Sequence, residues 1–168
     1  MAFTVWLDPT LAQKQADANY DAFAELRSQR AEEFCRNHDA LARDLETLDQ
    51  EWTSVLGKGS DQPVLFSHPV YQYFQRRYNL NAKSVHWEPD EEPSDAMWAE
   101  LKGILQQHPA KWMIWEDQPL DSVAKKLREL GITSVVFDPC GNAPSGGDFL
   151  AAQRKNLPTM AKVYADAQ

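Results

Sequence analysis

The residues able to do chemistry follow short apolar runs. His68 comes directly after Val64-Leu65-Phe66-Ser67; His86 and Glu88 flank Trp87; Glu116 and Asp117 follow Trp112-Met113-Ile114-Trp115; Asp138 and Cys140 follow Val135-Val136-Phe137. Neutral imidazole and ionised carboxylate are the donors that zinc, manganese and iron accept, and four-coordinate zinc takes N and O ligands in this combination. The same residues allow a plainer reading, in which His68 caps a turn and Glu116, Asp117 and Asp138 serve as turn residues. A histidine with two carboxylates could also perform acid–base hydrolysis with Glu116 as general base. Against that, no Ser or Cys occupies a nucleophile elbow, and neither a helical His-Glu-x-x-His nor a Gly-rich cofactor loop is present. Cys140, in Asp-Pro-Cys-Gly, is either a soft ligand or a small residue in a Gly-rich turn.

These donors need a scaffold, and the apolar runs supply one. Expected strands at Val64–Phe66, Lys83–Trp87, Lys111–Trp115 and Ile132–Phe137 alternate with expected helices at Pro69–Tyr78, Asp95–Gln107 and Leu120–Leu130. A last helix begins near Asp148, and Pro158 should kink or split it. Strands separated by helices imply an α/β fold with a four-stranded, parallel, doubly wound sheet, flanked by helices. In such a sheet every strand's carboxyl end reaches one edge, where ligands bind. His68, His86, Glu88, Glu116 and Asp138 are therefore expected at one rim.

Upstream, Asp8 reads as an N-cap and Pro9 as the first helical residue. Phe34, His38, Leu41, Leu45, Leu48, Trp52 and Val55 alternate by three and four, as a packed helix face requires. A helix from Ala31 to Leu56 would be about 39 Å long, a spine able to span more than one lobe. His38 lies on that face and reads as a core or interface histidine. Gly57-Lys58-Gly59-Ser60 precedes a strand and is a turn, not a phosphate loop. Glu88 to Asp95 reads as a solvated acidic loop.

The 168 residues carry 43% hydrophobic and 25% charged side chains, enough for one core or two lobes. A net charge of -8 excludes binding of nucleic acid through a broad basic surface. No apolar run approaches the roughly 20 residues that would insert in a membrane, and no secretory signal opens the chain, which as written would stay in the cytoplasm. Cys35 and Cys140 are too few for a disulfide framework.

Trp6-Leu7-Asp8-Pro9, Leu45-Glu46-Thr47-Leu48-Asp49, Ser67-His68-Pro69-Val70-Tyr71-Gln72-Tyr73-Phe74, Tyr78-Asn79-Leu80, Glu91-Glu92-Pro93-Ser94 and Asp138-Pro139 occur in that order. With them the chain resembles the zinc/manganese solute-binding proteins of metal ABC transporters, the TroA-like group. The resemblance implies two α/β lobes joined by a rigid helix, with the metal held between them by four side chains. This chain would be the spine and the C-terminal lobe, with a helical segment over 1–58 and the receptor-like lobe over 59–168. His68 then stands at the third ligand position and Asp138 at the last, while Thr4 stands where the second, a histidine, is expected. The first belongs to the other lobe. Zn2+ or Mn2+ would be bound weakly, with Glu116 and His86 as further donors. Implied too are a cell-envelope location, an ABC transporter permease as partner, and a separate partner supplying the missing lobe. The protein would not be an enzyme. An uncovered stripe of Leu41, Leu45, Leu48 and Trp52 would favour a homodimer. The other reading is an interaction module that keeps the lobe's fold without binding metal.

Overall fold

The computed structural model describes residues 4–57, 61–144 and 146–165. Four short strands, β1 (Val64–Phe66), β2 (Ala82–Ser84), β3 (Trp112–Trp115) and β4 (Thr133–Val136), form one parallel sheet in the order β2-β1-β3-β4. Alternation along the strands sends side chains to two cores. Val64, Phe66, Trp112 and Ile114 pack with Leu48, Trp52, Phe74 and Met160 on one face. Leu65, Met113 and Trp115 pack with Trp98, Leu101, Val123 and Leu127 on the other. The helices behind the first face are α2 (Ala31–Leu56), α3 (Gln72–Arg77) and α6 (Phe149–Ala165); behind the second are α4 (Asp95–Gln107) and α5 (Asp121–Glu129). Both faces are covered, as an all-parallel sheet requires. Because β1 pairs with β2 on one side and β3 on the other, the order reverses between β1 and β3. That crevice, at the strands' carboxyl ends, is where such sheets take ligands.

The N-terminal region is a helical hairpin. Asp8 caps α1 (Pro9–Leu26), accepting from the amides of Thr10 at 3.0 Å and Leu11 at 3.4 Å. A 3-10 turn at Ser28–Arg30 then reverses the chain into α2. Buried Asp8 also lies 3.6 Å from Arg76, while Arg77 Nε donates to Asp49 at 3.0 Å and the Tyr78 hydroxyl donates to Asp49 at 2.9 Å. These charges fasten α1 and α2 to α3.

The doubly wound sheet and the helix order agree with expectation, and several details differ. The strand expected at Lys83–Trp87 is β2 at Ala82–Ser84, so His86 and Glu88 lie beyond its end, on a segment that Val85 and Trp87 N–H still tie to Phe66 O and Ser67 O. The first helix after β1 starts at Gln72, not Pro69, because Val70 N–H closes a tight turn on His68 O at 2.9 Å. Pro158 does not split α6, which runs unbroken from Phe149 to Ala165 with buried residues on both sides of it (Ala152, Gln153 and Asn156 before, Met160, Val163 and Tyr164 after). The uncovered spine stripe is also corrected. Leu45, Leu48 and Trp52 are only 3%, 1% and 1% exposed, and Leu41 alone of the four is open. Trp52 stacks on Phe137 and meets Phe74 edge-on, so the chain's own core covers the surface on which a dimer was expected. Of the expected turn at Gly57–Ser60, residues 58–60 lie outside the described residues.

Candidate metal centre

His68 is placed by the sheet. Ser67 N–H donates to Ile114 O at 2.9 Å and Ser67 O accepts from Trp87 N–H at 2.8 Å, so Ser67 is clasped between β3 and the segment after β2. His68 is the first residue free to leave that clasp. Its Nδ1 is buried without a hydrogen-bond partner among the described residues, and its Nε2 lies 3.4 Å from Glu88 Oε1. The His86 ring meets it edge-on at 5.5 Å between centroids.

Glu88 is held from both sides. Trp87 is buried against Trp98 and Trp115, with ring centroids at 4.7 and 6.3 Å, and Pro89 O accepts from Leu120 N–H at 3.0 Å. Glu116 follows buried Trp115 at the end of β3. Burial raises its pKa; the nearby His68 opposes the shift, and Glu88 and Asp117 add to it.

Asp138 enters from the loop after β4. Its Oδ1 accepts from Cys140 N–H at 2.7 Å, its own N–H donates to Asn156 Oδ1 at 3.1 Å, and its carbonyl accepts from Asn156 Nδ2 at 2.8 Å. Trp6 Nε1 donates to Pro139 O at 2.9 Å and the Tyr71 hydroxyl to Phe137 O at 2.6 Å. Cys140, at φ +56°, completes the turn, and burial together with Asp138 pushes its thiol pKa up, away from the reactive thiolate.

Glu88, Asp90, Glu116, Asp117 and Asp138 line one cleft of about 650 Å³. The rim thus gathers His68, His86, Glu88 and Glu116 at the ends of β1, β2 and β3, with Asp138 facing the same cleft from the β4 side. As the side chains stand, no three His, Cys, Asp or Glu among the described residues are close enough to hold one ion. Thr4 takes no part: it is 2% exposed and its hydroxyl donates to Val70 O. Sequence reasoning did not pick out Asn156, whose signal is a polar residue on the inward side of an amphipathic helix. Nor did it find the pairing of Glu88 with His68, which joins residues far apart in the chain. His38, read as a core or interface histidine, lies between α1 and α2 with Nε2 2.8 Å from Asp17 Oδ1.

Among known proteins, the family model described as "Zinc-uptake complex component A periplasmic" (ZnuA) matches residues 4–163. The zinc-binding protein AdcA of Streptococcus pyogenes is 27% identical over 163 residues, covering 93% of this chain and 32% of its own length. The high-affinity zinc uptake system protein ZnuA of Bacillus subtilis is 26% identical over 136 residues, 80% of this chain and 43% of its own. The chain thus spans about a third to under a half of these relatives. In fold it is similar to the Zn(II)-bound ZnuA-like domain of Streptococcus pneumoniae AdcA, with a TM-score of 0.85 at 23% identity over 96% of this chain and 63% of that one. It is similar also to the metal-dependent lipoprotein YcdH of Bacillus subtilis, with a TM-score of 0.86 at 24% identity over 98% of this chain and 65% of that one. Through a match running from Thr4 to Val163, across the capped α1, the spine and every strand, the chain belongs to the ZnuA family of zinc-uptake solute-binding components.

Proposed function

We propose that this chain is the spine and C-terminal lobe of a zinc solute-binding protein, and that it takes a divalent cation as cargo at the carboxyl edge of its sheet. His68 and Asp138 are the principal ligands, with Glu116 and His86 as further donors, and no covalent bond is made or broken. The observation that carries this reading is the place of His68. It stands at the crevice where strand order reverses, its Nε2 turned toward Glu88 on the wall of an acidic cleft that Asp138 also lines.

An imidazole-containing N/O site prefers zinc to manganese on intrinsic affinity, so zinc is the cargo of choice. With Thr4 engaged by Val70 O, the shell is short of a ligand. Water, or a lobe supplied by a partner, would complete it, and affinity falls accordingly. Delivery to an ABC transporter permease and residence at the cell envelope follow from this reading. The relatives' names point the same way, with one family described as periplasmic and the pneumococcal AdcA named a lipoprotein. In this chain no helix among the described residues is long and apolar enough to cross a membrane.

Calorimetric titration of the apo-protein with zinc is the test. Binding is expected, and it should weaken at least about tenfold in both His68→Ala and Asp138→Ala. Absence of zinc heat in the parent protein would overturn the reading. It would favour instead an interaction module without metal, for which Thr4 and the lack of a ready three-donor cluster among the described residues speak.

A further inference from the structure

Resting on the reading just given, we propose that Glu88 is a direct ligand of the cation, sharing it with His68 in a half-site that the apo-protein already holds at coordination spacing. The separation of the two donor atoms is the starting point. A charge-assisted N–H···O bond settles at about 2.7–2.9 Å. His68 Nε2 and Glu88 Oε1 stand at 3.4 Å, too far for that bond to be well made. Two ligands on one tetrahedral zinc, with Zn–N and Zn–O bonds of about 2.0–2.1 Å, are held about 3.4 Å apart by the bond angle alone. The pair therefore has the edge length of a zinc tetrahedron.

That spacing has a rigid origin. Trp87 N–H bonds Ser67 O at 2.8 Å and Val85 N–H bonds Phe66 O at 2.9 Å, so the segment carrying Glu88 is zipped to the one carrying His68. Pro89, on the other side, is tied to Leu120. Both backbones are fixed before an ion arrives, which lowers the ordering cost of binding. The buried Nδ1 of His68 leaves Nε2, turned toward Glu88, as the nitrogen open to an ion. Glu88 would thereby make up for a donor that Thr4 does not provide, and Asp138 or water would fill the remaining positions.

Competition for zinc against a chromophoric chelator decides the matter, using the parent chain, His68→Ala, Glu88→Ala, Glu88→Gln, Glu88→His and Asp90→Asn. Asp90 lines the same cleft and controls for the acidic field. Loss of at least about tenfold in Glu88→Ala and Glu88→Gln is expected. Glu88→His, a neutral donor, should recover most of it, and Asp90→Asn should stay within about twofold of the parent. Glu88 is half exposed, so the thermal melting of the apo-variants should match the parent. If Asp90→Asn loses as much as Glu88→Gln and the histidine variant recovers nothing, only the cleft's charge matters and the proposal is overturned. Parent-like affinity in Glu88→Ala beside a loss in His68→Ala also overturns it, leaving His68 as a ligand. Should the parent itself take up no zinc, both readings fall and the two residues are merely neighbours at the rim.

Discussion

Asn156 shows how much of the rim depends on one neutral side chain. With its two amide atoms it satisfies both the N–H and the carbonyl of Asp138, fixing the loop from which that carboxylate reaches the cleft. Asn156→Ala leaves two partly buried backbone groups without partners, which should cost about 1–3 kcal/mol in urea unfolding. It should also weaken zinc binding without removing a ligand; unchanged affinity would show that the loop holds its place without the clamp. The positions of His68 and Asp138 were legible from sequence because each terminates an apolar run of strand length. The Asn156 clamp and the Glu88 pairing were not, since they join residues 18 and 20 positions apart through a fold that local pattern does not encode.

Among the elements, α1 lies largely outside the two cores. Only Pro9 of its residues is buried, and along its outer half the contacts with α2 include Asp17 with His38, the Tyr20 ring tilted against His38 at 4.9 Å, and Phe23 against Phe34 at 5.7 Å. The hydrogen bond to Asp17 raises the His38 pKa against a smaller opposing effect of burial, with Asp39 adding to the rise; the same bond, with one from Gln13, lowers that of Asp17. A raised histidine stabilises fully below its unfolded pKa of about 6.5, and that contribution disappears as pH climbs through the folded value. A lowered aspartate contributes above about 3.9 and is lost as pH falls. The hairpin should therefore hold best between about pH 4 and 6.5. Hydrogen-exchange protection in the outer half of α1, corrected for intrinsic rate, should drop from pH 6 to pH 8.5 in the parent and be flat in His38→Ala. Equal slopes in the two proteins would discard the idea. Sequence did not reveal that α1 folds back, because neither glycine nor proline marks the reversal at Ser28–Arg30. It did reveal α4 to the residue, where Ser94 caps the helix by accepting from Met97 N–H at 3.3 Å.

For the molecule as a whole, the spine and the sheet are one body of hydrophobic contact. Leu48, Trp52 and Leu56 from α2 and Leu7 from before α1 enter the same core as Phe66, Phe74 and Phe137. Residues before and after positions 58–60 thus share one core. A chain beginning at residue 61 should therefore lack a cooperative thermal transition, whereas the full chain should show one. Cooperative melting of the shortened chain would establish the lobe as self-sufficient. The layer architecture was readable because strand-length apolar runs alternate with amphipathic segments. The covering of Leu45, Leu48 and Trp52 was not, because periodicity shows which face of a helix is greasy and is silent on what meets it. One consequence belongs to the bend between the first two long helices. Arg27 and Arg30 both lie open there in non-α backbone, far along the chain from the cleft, and so offer a trypsin-like protease an accessible cut. Scission at that corner would leave the chain in two pieces, with the smaller kept in place by Leu7 in the core and by the pairing of Asp8 with Arg76.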